Sequence, residues 1–491
     1  MNSVLFLIVI PLLGAFLALF GKKANRIVAI LITAFTEIFS IIIYLSDQLP
    51  VSVAIGGWQA PYGINFVLTP MSVGFIVLIN LAAIISLFII RGEKEYQFYS
   101  TYLVLLAAAN GIVLTGDIFN FYIFSELTTF AITALIAYPR NRRSTGAAIK
   151  YLILASTASS FLLIGIGVVY KTLGTLNIAD IASKIDLLNP LTLELIIVLM
   201  LTGIFVELEL FPFNMWVPKA YFAGTASVNV MLHGMLGTVG AYIIARILLT
   251  MFAVNGSGLL VNANIANAII VIAMLTIFVS EIAAFNEKKL KKVLAFSSMG
   301  QMGLIIFGFM IGNEQALTGA FYMVVANFIA KIILFVLTGE FIAMTGSDNW
   351  EDMKGIGRKH PVAGVSFVIG SLSLMGVPFF AGFWGKLAVI QGAINGNGFM
   401  VTGIVIILIT AVVEGIYFLK ISHTFFLKKE DEKEFNSNAR LQSIVIAAVL
   451  AVIVLAIGVQ PGLIENNVNR ATNEILNSTS NYVDVVFPGR Y

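Results

Sequence analysis

The amino-acid sequence predicts an all-α polytopic membrane protein with about 14 transmembrane helices. Of its 491 residues, 59% are hydrophobic and only 11% are charged, and the mean hydropathy is +0.96. A soluble globular protein has about 25% charged residues. The apolar residues also form separate stretches, and the basic residues between them alternate from rich to poor. This composition excludes a cytosolic enzyme and predicts a chain that crosses the membrane repeatedly.

Fourteen apolar stretches are long enough to cross the membrane as helices, because a helix that spans the bilayer needs about 20 residues. They lie at 3–20, 27–45, 71–90, 99–116, 118–138, 147–170, 191–211, 225–252, 262–285, 293–312, 316–343, 362–391, 399–425 and 441–460. The first stretch has no basic residues before it and no small-residue cleavage site. We therefore expect it to be a retained helix rather than a signal peptide.

The lysines and arginines predict the orientation in the membrane. Of the 29, 22 lie in loops that follow odd-numbered stretches, 4 lie on the opposite side, and 3 lie inside helices. Positively charged loops remain in the cytoplasm. The sequence therefore predicts a multi-pass protein of the cell membrane with both termini outside.

Two of the predicted helices, the seventh and the twelfth, carry residues that interrupt a helix. Residues 207–218 include two prolines and two glutamates, and residues 374–386 include one proline and three glycines, with unwinding expected at 382–385. Matched interruptions in two halves of a transporter indicate inverted repeats with ion sites near the midplane. Because the two helices are five apart, we predict two inverted five-helix repeats with broken helices 7 and 12.

No loop is long enough for a separate soluble domain, so the predicted division follows the helices alone. Residues 1–98 would form helices 1–3, 99–253 the first repeat with helices 4–8, and 254–425 the second repeat with helices 9–13. Residues 426–491 would form helix 14 and an outside tail.

Several kinds of chemistry are not expected in this chain. It has no cysteine, and therefore no disulfide, thiolate zinc site or iron–sulfur cluster of its own. Its three histidines are far apart in sequence, and residues 382–386 lack the spacing of a phosphate-binding loop. We expect no cofactor, no metal site, no bound nucleotide, no nucleic-acid partner and no catalytic side chain. Whether the chain belongs to an enzyme complex stays open, because any electron carriers would belong to other subunits.

The most informative residues are ionisable side chains inside apolar stretches. Glu126 and Lys331 both lie near the centre of a predicted helix. A charge at the bilayer centre costs about 3 kcal/mol or more and usually lines a water-filled or protein-lined path. For Glu126 a packing role, with Ser125 or Thr129 as its partner, is the alternative.

Other ionisable residues are ambiguous at this stage. His233 lies on a glycine-rich eighth helix and is either a proton relay or a hydrogen-bonded core residue. Arg246 is expected to anchor at the interface or to pair locally. Glu281, Glu340 and Glu414 carry no signal that separates a functional from a structural role.

Four segments resemble a known family. They are Ile-Gly-Gly-Trp-Gln-Ala-Pro-Tyr-Gly-Ile at 55–64, Phe-Pro-Phe-Asn-Met-Trp-Val-Pro at 211–218, Lys-Lys-Val-Leu-Ala-Phe-Ser-Ser-Met-Gly-Gln at 291–301 and Gly-Val-Pro-Phe-Phe-Ala-Gly-Phe-Trp-Gly-Lys at 376–386. They are similar to segments of the antiporter-like membrane subunits of respiratory complexes. The first is most similar to the D-type subunit of Mrp-type cation/proton antiporters and to its counterpart in energy-converting membrane-bound hydrogenases.

The resemblance implies fourteen helices and a buried axis of charged residues and water. By position, Glu126 matches the family's fifth-helix glutamate, Lys331 a lysine of the eleventh helix, and Lys386 the charged residue of the broken twelfth helix. Lys331 and Lys386 are expected to communicate through water in the second half.

Three positions depart from the family's pattern. The lysine of the seventh helix falls at Glu207, or at Glu209 if the register slips, and the lysine of the eighth helix falls at Thr238. A histidine that often precedes the eleventh-helix lysine is Asn327 here. These departures predict an acidic region without a matched base in the first half, suited to Na⁺ as well as to H⁺.

The resemblance therefore implies an ion-translocating subunit, for H⁺ and/or Na⁺, of an Mrp-type antiporter or a related hydrogenase-like respiratory complex. Its partners would be other integral membrane subunits. One alternative is a proton-pumping subunit of NADH:quinone oxidoreductase, and another is an ion-silent structural subunit that docks its neighbours. The candidate ion-translocation residues are Glu126, Glu207, Glu209, His233, Thr238, Lys331 and Lys386.

Overall fold

The computed structural model describes residues 2–20, 25–46, 48–92, 95–253, 260–394, 396, 398–428, 435, 439–477 and 479–488. The predicted boundary between the repeats, at 253/254, borders a segment outside the described residues. Six of the counted basic residues also lie outside them: Lys22, Lys23, Lys94, Lys429, Lys433 and Arg490.

The chain is a bundle of helices. Its first part contains α1 (Phe6–Ala18), α2 (Asn25–Leu45), α3 (Pro70–Phe88), α4 (Tyr96–Leu114), α5 (Ile118–Ala137), α6 (Arg142–Leu173) and a seventh helix in two pieces, α7a (Pro190–Glu207) and α7b (Val217–Ala223). A short helix, Ile178–Lys184, lies between α6 and α7a.

The second part continues with α8 (Ala226–Met251), α9 (Ala263–Asn286), α10 (Leu290–Ile311) and α11 (Glu314–Thr345). The twelfth helix is again in two pieces, α12a (Pro361–Met375) and α12b (Ala381–Ile394), and is followed by α13 (Gly398–Phe426), α14 (Leu441–Val459) and α15 (Gly462–Leu476). Two stretches of α8, Leu232–Gly237 and Ile244–Met251, have π-helical turns.

Each of the fourteen predicted apolar stretches is helical, and the prediction of an all-α membrane fold is confirmed. Twelve helices of the described residues are long and apolar enough to cross a membrane. Two further apolar helices, α1 and α12a, are shorter. The number of fourteen crossings and the inverted repeats stay predictions.

Local sequence signals account for many helix ends. Asp117 caps α5 by accepting hydrogen bonds from the backbone N–H groups of Phe119 and Asn120. Asn189 caps α7a in front of a proline in the first turn, where the missing N–H of proline has no cost. At the other end of α6, Gly174 takes the left-handed conformation (φ 69°) that suits glycine.

The centre of the bundle is formed by α8, α10 and α11. All residues in the apolar window of α8 are buried, and so are nearly all of those in α10 and α11, whereas only 28% of the window is buried in α2 and in α13. Glycines at 234, 237 and 240 give α8 a small cross-section, which lets neighbouring helices approach closely. Arg246 on α8 and Lys331 and Glu340 on α11 therefore lie in the protein interior.

Both predicted interruptions are present. Between α7a and α7b the chain turns at 208–216, and Glu209 has φ 57°. Between α12a and α12b the break lies at 376–380, where Gly376 has φ 76° and Phe379 has φ 73°. The expectation of unwinding at 382–385 is wrong, because these residues are in the first turn of α12b. A Cβ on Gly382 would lie 2.0 Å from the Ser373 carbonyl oxygen, so this glycine permits close packing rather than a break.

The basic loops meet at one end of the bundle. Arg143, after α5, lies 3.7 Å from Asp348, after α11, and Lys288, after α9, lies 3.3 Å from Glu351. Lys291 donates to the carbonyl oxygen of Gly224, after α7b, at 2.8 Å. The segments after helices 5, 7, 9 and 11 therefore share one face, in agreement with the charge pattern.

The opposite end carries the longer connections. They include one antiparallel strand pair, β1 (Val51–Ala54) and β2 (Asn65–Leu68), a departure from the all-α expectation. The tail helix α15 packs on the same end, where the Glu474 side chain accepts a hydrogen bond from the backbone N–H of Met71 at 3.0 Å. This end is closed by the chain's own segments rather than by a separate domain.

Candidate ion-translocation site

Lys331 lies at the middle of α11 and is completely buried. Its Nζ donates to the carbonyl oxygen of Leu294 on α10 at 3.1 Å. It interacts electrostatically with three carboxylates, those of Glu209, Glu281 and Glu414. Lys331 is therefore the point at which the broken α7 and the second half of the bundle come together.

Lys386 and Glu414 form a buried ion pair between α12b and α13. The distance from Lys386 Nζ to Glu414 Oε2 is 2.8 Å, and Gln301 Nε2 donates to the other carboxylate oxygen at 2.7 Å. Gly376, in the break of the twelfth helix, makes room for the lysine, because a Cβ there would lie 2.8 Å from Lys386 Cδ. The break thus positions Lys386 directly.

Glu281 on α9 completes this cluster. The Tyr417 hydroxyl donates to Glu281 Oε2 at 2.9 Å, and Glu281 interacts electrostatically with Glu414, Lys386 and Lys331. The Glu281 carboxylate lies directly against Gly300, so a larger residue there would displace Oε1. The cluster contains two bases and two acids in a region where an isolated charge would be severely penalised.

The sequence left Glu281 and Glu414 ambiguous, and the structure brings both into the site. Their carboxylates contact or interact with both candidate lysines. The sequence predicted a link through water between Lys331 and Lys386. In the structure the carboxylates of Glu281 and Glu414 can also link the two lysines. In the sequence, the signal for Glu281 and Glu414 was their position inside apolar helices. Glu340 has the same kind of position, so this signal alone does not identify members of the site.

Glu209 lies in the break of the seventh helix. Its backbone is in the left-handed region, with φ 57°, and its side chain is buried. The Tyr221 hydroxyl on α7b donates to Glu209 Oε1 at 3.4 Å, and Lys331 is its basic neighbour. Glu209 connects the first half of the bundle with the lysine of the second.

Glu207, the last residue of α7a, has different neighbours. It is buried, and it interacts with the half-buried Glu126 of α5 and with Ser125. Neither Glu126 nor Glu207 takes part in an ion pair with a described lysine or arginine. The three acids expected in one region thus divide into a pair, Glu126 and Glu207, and Glu209 with Lys331.

His233 and Thr238 line a small cavity on α8, together with Asn327. The cavity has a volume of about 10 Å³, which is the lower limit for one water molecule. His233 lies in the first π-helical stretch, a local geometry frequent at functional sites, and it interacts electrostatically with Lys331. Both residues therefore lie beside the charged row, between its two halves.

Arg246 has both a local partner, one of the two alternatives that the sequence suggested, and a partner far along the chain. It is 2% exposed, and its Nη2 contacts Glu474 Oε1 of the tail helix at 2.7 Å. Its Nε donates to the Tyr242 hydroxyl at 3.0 Å, and Nη2 also donates to Thr69 at 3.2 Å. The predicted local pairing is thus present with Tyr242, whereas the sequence did not indicate the ion pair with Glu474, which lies far along the chain in the tail.

Glu340 belongs to the basic end of the bundle rather than to the central row. It pairs with Arg91, and its Oε1 accepts a hydrogen bond from Ser443 at 2.8 Å. The backbone N–H of Arg440 donates to its Oε2 at 3.0 Å. These contacts join α3, α11 and α14, so Glu340 stabilises the fold.

The row of ionisable side chains has the chemistry of a charge-transfer path. The row consists of Glu209, Lys331, Glu281, Glu414 and Lys386, so each lysine has at least one acid as a neighbour. Each member can exchange a proton with a neighbour or change its ion-pair partner. In the described residues no group of three or more His, Cys, Asp or Glu is arranged to hold a metal ion.

Known proteins are similar to this chain in sequence and fold. A Staphylococcus aureus (strain JH9) protein that bears the name antiporter subunit mnhD2 is 29% identical over 502 residues, which cover 99% of this chain and 98% of that protein. A chain of the membrane-bound sulfane sulfur reductase (MBS), an archaeal respiratory membrane complex, superposes with a TM-score of 0.91 at 30% identity. That comparison covers 99% of this chain and 100% of the MBS chain.

A chain of the Mrp complex from Dietzia sp. DQ12-45-1b has the same fold, with a TM-score of 0.89 at 20% identity and 99% coverage of both chains. Residues 115–413, which include α5 and most of α13, match the family described as NADH:quinone oxidoreductase/Mrp antiporter, TM. This match covers more than half of the chain, so the chain belongs to the NADH:quinone oxidoreductase/Mrp antiporter family and is an antiporter-like subunit of a multisubunit membrane complex.

Proposed function

We propose that the chain is the ion-translocating subunit, for H⁺ and/or Na⁺, of a complex of the Mrp antiporter or MBS kind. It would reside in the cell membrane with its basic end in the cytoplasm and both termini outside, and its partners would be other integral membrane subunits. The names of the relatives that cover the whole chain support this assignment.

The buried row of charges is the observation that carries the proposal. Lys331, Lys386, Glu281 and Glu414 are all nearly or completely buried. Buried ion pairs stabilise a fold little, because apolar residues of similar volume are often as good or better. A structural subunit therefore gains little from four such residues, whereas a path for ions requires them.

The geometry supports a mechanism in which Lys331 is the central carrier. It has an acid towards the first half, Glu209, and two acids towards the second, Glu281 and Glu414. Movement of its ammonium group, or of a proton, from one side to the other would change the charge that each side experiences. Lys386, at the start of the second piece of helix 12, would then pass the proton onward.

The two breaks also support the predicted repeats, 99–253 and 254–425. They lie in helices five apart, and each has an ionisable residue of the row near it: Glu209 lies within the first break, and Lys386 lies in the second turn of α12b. Irregular backbone within a bilayer is tolerated where it lines a cavity or is buried in protein. We assign the domain boundaries on this basis.

The decisive experiment measures proton and sodium flux in proteoliposomes that contain the assembled complex. Lys331→Met should abolish flux while the complex still assembles, whereas Lys288→Met, in an exposed pair with Glu351, should leave flux unchanged. If Lys331→Met retains full flux in an intact complex, the chain is an ion-silent subunit that docks its neighbours.

The same preparation addresses the second alternative, a proton-pumping subunit of NADH:quinone oxidoreductase. Flux driven by quinone reduction, rather than by an imposed cation gradient, would favour that alternative. The Mrp and MBS kind is preferred, because the MBS chain matches at 30% identity over its whole length.

A further inference from the structure

We propose that protons pass between the basic end of the bundle and the charged row through a cavity between α9 and α13, with Tyr417 as the relay to Glu281. This inference rests on the proposed function and names the route by which the row of the second half is reached. The cavity has a volume of about 340 Å³ and is large enough for several water molecules. It lies where the segments after α9 and α11 meet.

Charged side chains line the cavity at the basic end. They are two acids and two bases, namely Glu287, Lys288, Glu351 and Lys420. Lys288 Nζ lies 3.3 Å from Glu351 Oε1, and Lys420 Nζ lies 5.2 Å from the centroid of the Trp350 ring. Charged groups are costly to place outside water. The cavity is therefore suited to water rather than to a lipid acyl chain.

The wall of the cavity is fixed by hydrogen bonds between two segments. The backbone N–H of Trp350 donates to the carbonyl oxygen of Lys288 at 3.2 Å. The backbone N–H of Leu290 donates to the carbonyl oxygen of Asp348 at 2.9 Å. Trp350 Nε1 also donates to the carbonyl oxygen of Glu287 at 3.3 Å. The segment after α11 is thereby held across the end of α9, so the cavity is a defined part of the fold.

Two helix faces lead from the cavity to the charged row. On α9, Ala284 lines the cavity and Glu281 lies one turn deeper. On α13, Ile421 and Tyr417 line the cavity, and Glu414 lies one turn deeper than Tyr417. Residues three or four apart share one face of a helix. Glu281 is five residues, or about 8 Å, from the end of α9, so the path from the basic end is short.

Tyr417 belongs both to the cavity and to the row. Its side chain lines the cavity, and its hydroxyl donates to Glu281 Oε2 at 2.9 Å. This distance is within the range in which a proton can be transferred. Glu281 in turn interacts electrostatically with Glu414, Lys386 and Lys331. A proton that reaches Glu281 has therefore entered the row.

The relay leaves Tyr417 chemically unchanged. A protonated water molecule in the cavity gives a proton to the Tyr417 oxygen while the hydroxyl proton moves to the ionised carboxylate of Glu281. One O–H bond of the tyrosine forms as the other breaks, so no tyrosinate is required. Rotation of the hydroxyl about its C–O bond then restores the donor to Glu281. Because the same steps run in reverse, the route serves both uptake and release.

Two cysteine variants on α13 test the route in this cysteine-free chain. Ile416 lines the cavity, whereas Val412, one turn away on the same face, is 64% exposed and is not one of the lining residues. An impermeant thiol reagent is applied to vesicles with the assembled complex, from the side at which Lys288→Cys reacts. Ile416→Cys should react and thereby lose most of its proton flux. Val412→Cys, on the lipid-facing surface, should not react.

A second variant, Tyr417→Phe, removes only the hydroxyl. It should lower proton flux about 100-fold, the lower range for loss of a positioned proton-transfer group, in a complex that still assembles. Because proton entry then limits the flux, D₂O should slow this variant more than the wild type, and a purely structural tyrosine would not produce this effect. Tyr170→Phe, at an exposed tyrosine of α6, is the control and should keep the wild-type flux and isotope effect.

An unreactive Ile416→Cys, or full flux after its modification, would overturn the inference. Full flux or an unchanged isotope effect in Tyr417→Phe would do the same. If Tyr417→Phe does not assemble, the modification of Ile416→Cys decides the matter. Failure of this route is distinguishable from failure of the proposed function. If Lys331→Met abolishes flux while the cavity variants have no effect, protons move through the row but enter it elsewhere.

Discussion

Lys386 Nζ donates to Glu414 Oε2 over 2.8 Å and so joins the second piece of the broken twelfth helix to α13. The lysine lies one turn beyond the break, and Gly376 in the break lies directly against its side chain. A rotation or shift of α12b would therefore separate the pair and leave Glu414 to its other neighbours, Gln301 and Lys331. The proposed mechanism requires that Lys386 and Glu414 exchange their ion-pair partners.

The first prediction concerns variants that exchange the charges of Lys386 and Glu414. Lys386→Glu or Glu414→Lys alone should abolish proton flux and lower stability by about 3–5 kcal/mol, because either change leaves like charges buried together. The double variant should recover part of the stability. Thermal unfolding of the purified complex and flux in proteoliposomes measure the two effects.

The matched control is the exposed pair Lys288 and Glu351, whose side chains are 66% and 43% exposed. The same exchange there should alter stability by about 0–1 kcal/mol, since water screens exposed ion pairs. Equal effects at the buried and exposed pairs would contradict a buried charge row.

Removal of the charge from Glu126 is the second prediction. Glu126→Gln keeps the shape of the side chain and removes its titratable group, so ion flux should fall while the complex still assembles. Size-exclusion chromatography monitors assembly, and flux assays monitor transport. An unchanged flux would return Glu126 to the packing role that the sequence also allowed.

The third prediction concerns orientation, for which the absence of cysteine is useful. Single cysteines at Lys288, on the basic end, and at Asn466, on the exposed face of α15, provide one reporter for each end of the bundle. A membrane-impermeant thiol reagent applied to intact cells should label Asn466→Cys and not Lys288→Cys. The opposite pattern would invert the proposed topology.

The helices could be predicted from the sequence because long apolar runs allow little else in a membrane. The structure of the segments that connect the helices was harder to predict. The β1–β2 pair lies in a polar stretch rich in glycine and proline, where the backbone pairing depends on strands that the apolar pattern does not reveal. The break in helix 12 was placed too late, because Gly382 and Gly385 resemble helix breakers in sequence but serve close packing in the fold.

The site was predicted as individual residues and not as contacts. Glu126, Lys331 and Lys386 are conspicuous in apolar surroundings, and all three lie on the helices expected. Pairing between distant helices has no signature in one sequence, so Glu414 and Glu281 stayed ambiguous until their neighbours were known. The ion pair of Arg246 was not predicted for the same reason, because its partner Glu474 lies far away in the tail.

That tail contact is the basis of the last prediction. Arg246 and Glu474 are both almost completely buried, and the Arg246 guanidinium also lies 4.1 Å from the centroid of the Tyr482 ring. The pair therefore fixes α15 and the segment after it to the ends of α3 and α8 that lie opposite the basic loops. Glu474→Gln removes the negative charge and leaves the arginine buried without its counter-ion.

We expect Glu474→Gln to destabilise the complex by about 3–5 kcal/mol, because an uncompensated buried charge remains. It should also make the tail after 461 sensitive to protease from the outside. Glu465→Gln, an exposed acid on the same helix, should have neither effect. A double change, Arg246→Met with Glu474→Leu, replaces the ion pair by apolar groups and should restore much of the stability, since such replacements are often neutral. If Glu474→Gln and the double variant were equally unstable, the attachment of the tail would depend on the shape of these two side chains. The ion pair would then not be what attaches the tail.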